Sequence, residues 1–137
     1  MADNESVVRE FLGAISRWDK EGATQLLAES FTGRMPGMPE IRGREAWAQL
    51  AGMFETAFPD LDLRVEETVV AGDMVAARWT WTATHKGDFM GVPATGKQVK
   101  AEGGGFYRVT GGEIVSEWVL EDMLGVMQQI GAVPAPV

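Results

Sequence analysis

The chain has 137 residues, 45% of them apolar, which is enough for one domain with a real core; 20 acidic against 12 basic residues give a formal charge of −8. That balance excludes nucleic acid and anionic membrane as partners, because both require clustered Lys and Arg. The lack of cysteine excludes disulfides, a thiolate nucleophile and Cys-ligated zinc, and it fits a cytoplasmic setting.

The N-terminal stretch MADNESVVRE is too polar for a signal peptide, and no apolar run approaches the ~18 residues of a membrane span. Val7, Val8, Phe11, Leu12, Ile15 and Trp18 recur at helical spacing behind cap-competent Asn4 and Ser6, which predicts a helix over 4–18. A shorter helix is predicted over 21–29, around Leu26 and Leu27. Two prolines and three glycines make 31–43 a loop or ragged strand, whose Met35 and Met38 are placed to pack over a neighbour. Trp47, Leu50, Met53 and Phe54 share one side of a third helix over 44–57, which Pro59 stops.

From Leu61 the apolar residues alternate. Turn signals at Gly72-Asp73, at 84–97 and at Gly111-Gly112 divide the stretch into four strands, 61–70, 74–85, 98–109 and 113–120. A last helix covers 122–129 with Gly131 as its cap, and AVPAPV (132–137) is expected to be a loosely held tail. Helices succeeded by a strand meander imply an α+β fold, and residues 1–137 read as a single domain.

The loop THKGDFMGVPATGK (84–97) carries GxxxxGK through Gly91, Gly96 and Lys97, the spacing of a phosphate-binding loop. Gln98 stands where such a loop needs Ser or Thr, and residues 98–109 are strand-like where a helix N-terminus is required, so a hairpin connection is the better reading. His85, the sole histidine, has the same parity as Val75, Ala77, Trp79, Trp81 and Ala83 and therefore ends an apolar face. An imidazole with an unperturbed pKa near ~6.5 at such a rim is a candidate general base or donor; the alternative is a histidine bonded to the loop backbone. Asp88 is a candidate to orient it. One histidine without cysteines argues against a metal centre.

Four strings, AFPDL (57–61), GDMVAARWTWTATHKGDFMGVPATGK (72–97), FYRVTGGEIVSEW (106–118) and DMLGVMQQIG (122–131), resemble the SnoaL-like polyketide cyclase family, and the similarity covers nearly the whole chain. The resemblance implies a nuclear transport factor two-like fold, with N-terminal helices packed in the concave face of a curved, mainly antiparallel sheet, a cone with an interior pocket. Family members that close a ring by aldol chemistry use an aspartate directly after the aromatic or basic residue of the last strand, helped by a histidine on the neighbouring strand. Here those positions hold Val119, after Trp118, and Gly105. Neither transfers a proton.

The glycine run 103–105 leaves space or a bulge, so Gly103 and Gly105 are expected to widen the pocket. Trp79, Trp81, Met90, Tyr107, Trp118 and Val119 are candidates to line it, with Phe106, Met35, Met38 and Met123 also in reach of it. On the last strand, alternation turns Ile114, Ser116, Trp118 and Leu120 inward, whereas the resemblance turns Glu117 and Val119 inward; a bulge reconciles the two. Glu117 is then the carboxylate nearest the vacated site, and burial would raise its pKa. Asp122 is a second acid or the N-cap of the last helix. Glu121 reads as solvated, and Arg78 and Arg108 as salt-bridge or dimer residues on the polar face.

The expectation is a cofactor-independent cyclase or isomerase of polyketide-type natural-product (antibiotic) biosynthesis. It folds a flexible apolar, polyketide-like molecule for ring closure, which suits a [4+2] cycloaddition better than an aldol step. His85, Glu117 and Asp122 are the catalytic candidates, with no metal. One alternative is an epoxide hydrolase or cyclic-ether-forming enzyme using Glu117 with Asp122 or His85; another is a non-catalytic binder of an apolar metabolite. The resemblance and the threonine-rich outer strand face imply a homodimer.

Overall fold

The computed structural model describes residues 3–136. The first helix, α1 (Asn4–Ser16), buries Val7, Val8, Phe11, Leu12 and Ala14 along one side. Its cap is Asp3 rather than the expected Asn4 or Ser6: the Asp3 carboxylate accepts from the Ser6 amide at 2.7 Å. The helix ends before Trp18, which takes a positive φ of 53° and donates its indole N–H to the Phe58 carbonyl at 2.9 Å.

Helix α2 (Lys20–Gln25) opens on Asp19, which accepts from the Gly22 amide, and it is shorter than the helix expected over 21–29. From Leu27 the chain is instead strand β1 (Leu27–Arg34), with the short β2 (Ile41–Arg42) after it. The strand state of 27–34 comes from a parallel partner far along the sequence, Ile114–Trp118. Local periodicity carries no trace of that pairing. Helix α3 (Arg44–Ala57) matches its expected range and ends on Phe58, just before Pro59.

The four expected strands come next as β3 (Asp62–Ala71), β4 (Met74–Thr84), β5 (Gln98–Thr110) and β6 (Glu113–Glu121). With β1 and β2 they form one six-stranded sheet in the order β2-β1-β6-β5-β4-β3, antiparallel at every step except β1 with β6, and open at both edges. The helices lie in its concave face, where Phe11 meets Trp47 and Tyr107 at ring-centroid distances of 5.3 and 6.0 Å. Last comes α4 (Met123–Gln129), with Gly131 beyond its end in the left-handed region (φ 85°). Of the tail expected to be loose, Ala132 donates to the Met127 carbonyl at 2.9 Å, and Val137 lies outside the described residues. Among the described residues no helix is long and apolar enough to cross a membrane.

The 84–97 stretch is a hairpin connection leading into strand β5. It is pinned to the end of α3 by Lys86 and Gly87, whose amides both donate to the Ala57 carbonyl. Gly87 is required there, since a Cβ would stand 2.1 Å from the Thr56 carbonyl oxygen.

Candidate active site

Between α1, α3 and the inner face of β4 to β6 lies a cavity of about 130 Å³. Leu12, Trp18, Trp47 and Phe54 wall its helical side; Trp79, Trp81, Tyr107 and Val119 wall the sheet side. Into this apolar space project Glu117 and Glu121, and Arg34 contributes to the wall from β1.

The two carboxylates face inward because of one irregularity. Val109 stands opposite Ile114 and Arg108 opposite Ser116, so Val115 is an extra residue in β6, a bulge. Before it, Ile114 points into the core with no exposure; after it the parity has flipped, and Glu117, Val119 and Glu121 point in. Trp118 and Leu120 turn outward, 38% and 48% exposed. Trp118 thus does not line this cavity, contrary to expectation; it packs against Phe106 on the outer face, ring centroids 6.0 Å apart.

Glu121, read from sequence as solvated, is largely buried and held by two side-chain donors. Its two oxygens accept from the indole N–H groups of Trp79 (2.8 Å) and Trp81 (3.1 Å). Its partner across the sheet is Gly103, and a Cβ there would meet the carboxylate at 2.5 Å. Burial pushes the Glu121 carboxyl up to about 7; the two indole bonds hold it from rising further, and the Asp122 charge adds a small push upward. Glu117 sits between Gly33 of β1 and Tyr107 of β5, and burial pushes its carboxyl up to about 8. The phenol of Tyr107 is driven well above its ordinary range by burial first, then by the charges of Glu117 and Glu121, so it lies within electrostatic range of both acids.

Gly103 and Gly105 do not widen the pocket. The volume a side chain would take at 103 is filled by Glu121. At 105 a Cβ would meet the Trp118 carbonyl oxygen, Val119 Cγ2 and Tyr107 Cε2 at 3.0, 3.1 and 3.3 Å. Neither glycine lines the cavity. At 103 the missing side chain leaves room for the Glu121 carboxylate.

The remaining candidates lie elsewhere. His85 is fully buried behind Phe58 and outside the cavity wall. Its Nδ1 lies 2.9 Å from Thr95 Oγ1 and accepts from the Thr95 amide at 3.3 Å, so it is the loop-bonded histidine; Thr95, not Asp88, orients it. Asp122 caps α4 by accepting from the Gly125 amide at 2.9 Å. The structure does not bring either residue together with Glu117 in the cavity, which removes the geometry expected for the epoxide and cyclic-ether alternatives. Met90 is 60% exposed on the 84–97 loop and borders an adjoining groove instead. Arg78 and Arg108 are engaged on the outer face by Glu67 (2.8 Å) and, through both oxygens, Asp73 (2.8 Å).

The family model described as SnoaL-like polyketide cyclase matches residues 5–130. Among curated proteins, the chain is 26% identical over 135 residues to the aklanonic acid methyl ester cyclase DauD of Streptomyces sp. (strain C5), covering 96% of this chain and 83% of that one. It is 31% identical over 101 residues to the cyclase of the same description, DnrD, of Streptomyces peucetius, covering 72% and 69%. Among solved structures it is similar to AclR of Streptomyces galilaeus, a proposed hydroxylase, with a TM-score of 0.89 and 30% identity over 100% of this chain and 86% of that one.

Proposed function

The chain belongs to the SnoaL-like polyketide cyclase family and is an enzyme of the polyketide cyclase type, and from that premise we propose that it closes a carbon ring in an apolar polyketide by proton transfer through Glu121 and Glu117. The observation that carries this reading is the position of the acids. Val119, where the resemblance places an aspartate in aldol-type members, is flanked by two carboxylates, each two residues away on the same inward face. Each sits in a different environment.

Different environments separate roles. Glu121, near 7 and steadied as an anion by two indole donors, is the base; Glu117, near 8 and protonated at neutral pH, is the acid. Glu121 removes a proton from a methylene flanked by carbonyls, and the carbanion so formed attacks a ketone carbon of the same molecule. The oxygen that gains the electron pair takes the Glu117 proton. Product and substrate are isomers, and the two acids have exchanged protonation states, which solvent resets. The apolar walls supply orientation by holding the chain folded.

A second reading, a [4+2] ring closure achieved by confinement, is favoured by Val119 and by the indole-rich wall. A third, tight binding without turnover, is tested by the same experiment. Incubation with a linear aromatic β-polyketone methyl ester, then mass spectrometry, should give a product of unchanged mass or one lighter by water. A gain of one oxygen would move the chain toward the hydroxylase reading of AclR, and a ligand recovered unchanged would reject catalysis.

We further propose a homodimer through the convex face. The threonines expected to make that face polar are engaged within the chain: Thr80 donates to Glu66 and Thr84 to Asp60, at 2.7 Å each. Beside them Phe106, Trp118 and Leu120 stand 50%, 38% and 48% exposed, an apolar area suited to a second copy. Sedimentation should give a dimer for the wild type and a monomer for Trp118→Glu; a monomeric wild type would end this proposal.

A further inference from the structure

Five of the chain's eight methionines converge on one groove. Met35 and Met38 come from the connection between β1 and β2, Met53 from α3, Met90 from the 84–97 loop and Met123 from α4, so four separate segments deliver the same side-chain type to one place. The groove encloses about 230 Å³ and shares Met35, Leu50, Phe54 and Met123 with the wall of the catalytic cavity. The two spaces adjoin across these four side chains, with carboxylates on the cavity side and thioethers on the groove side.

Two features mark the groove as built. Met53 and Met90 are 59% and 60% exposed, large apolar side chains left uncovered at its rim. Met90 also has a positive φ of 48°, a conformation that costs a non-glycine residue energy and persists only where its surroundings impose it. The surroundings are evident: Phe89 and Val92 exchange backbone hydrogen bonds of 2.9 and 2.8 Å, and the buried Phe89 ring anchors the turn against Phe54 and Phe58, at 5.5 and 5.1 Å.

The cavity of about 130 Å³ falls short of the ~300–1,000 Å³ usual for a small-molecule site. A molecule long enough to fold back on itself therefore extends past it. We propose that the methionine groove is a second substrate subsite, holding a neutral alkyl or aryl extension of the same molecule whose reacting end lies between Glu117 and Glu121. This rests on the reading of the cavity as the substrate site. Unbranched thioether side chains re-pack around guests of different shape, so the groove accepts variation in the extension while the indole-lined cavity remains selective for the reacting end. Asp88 at the edge of the groove disfavours an anionic extension.

The test uses the methyl and hexyl esters of 1-hydroxy-2-naphthoic acid as probes, with Kd measured by calorimetry, which requires no turnover. In the wild type the hexyl ester should bind about tenfold or more tighter than the methyl ester. In Met53→Ser/Met90→Ser, where the replaced side chains are 59% and 60% exposed, that gain should shrink to about threefold or less with the methyl ester unaffected. The same gain in variant and wild type, or no gain in the wild type, would overturn the subsite and leave the cavity reading standing. Failure of the wild type to bind either ester would overturn both.

Discussion

Glu121→Gln should lower kcat by about 10²–10⁴-fold while shifting substrate affinity by no more than about threefold. Glutamine keeps the length of the side chain and one oxygen, which accepts from one of the Trp79 and Trp81 indoles while its NH2 faces the other, so one of the two bonds is lost but the side chain still fills its place. It cannot accept a proton. A ring closure that begins with removal of a proton next to a carbonyl therefore loses its base, whereas one driven by confinement alone proceeds at nearly the wild-type rate. The pH profile adds a second reading of the same step. The base must be ionised and the acid protonated, so wild-type kcat/KM should rise with pH up to about 7 and fall beyond about 8, a narrow bell. In Glu121→Gln the rising limb should disappear. A variant with full activity and an unchanged profile would leave confinement, as in a [4+2] closure, as the operating principle.

The parts of this site visible in the sequence are those that local patterning encodes. Helices α1 and α3 and the meander β3 to β6 arise from periods of 3.6 and 2 and from glycine turns, and they appear where those signals place them. Strand β1 does not, because its strand state depends on parallel pairing with β6. The inner face of β6 is ambiguous in the sequence for a similar reason: the extra Val115 reverses the parity midway, so counting from Ile114 puts Trp118 inside when it is outside. That same count misses Glu121. A signal for it does exist. Trp79 and Trp81, two residues apart on one apolar face, bring two indole donors that need an acceptor when buried, and Gly103 opposite the strand end leaves room for one. Parity alone places His85 at the end of the apolar face, but its separation from the cavity depends on Phe58 and Thr95, contacts that no spacing rule supplies.

The role assigned to Gly103 gives the second large effect. Gly103→Ala adds one methyl, yet its Cβ would stand 2.5 to 2.7 Å from all three atoms of the Glu121 carboxylate, closer than non-bonded atoms approach. The carboxylate is the free end of a side chain, so it should swing out of the indole cradle rather than unfold the sheet, leaving two buried indole N–H groups unpaired at about 1–3 kcal/mol each. We expect kcat to fall about 10–100-fold with a smaller change in KM, since a base displaced by an ångström loses alignment before it loses basicity. Gly103 is a positioning residue on this view, and a double-mutant cycle separates that from a general loss of packing. Aspartate at 121 is one methylene shorter and clears the added methyl. Gly103→Ala should therefore cost little further activity in the Glu121→Asp background, whereas a glycine needed only for strand geometry would cost the same in both. Equal costs in the two backgrounds, measured as kcat at a fixed pH of about 7.5, between the two carboxyl values, would detach Gly103 from Glu121 and remove the reason for regarding the glycine run as part of the catalytic design.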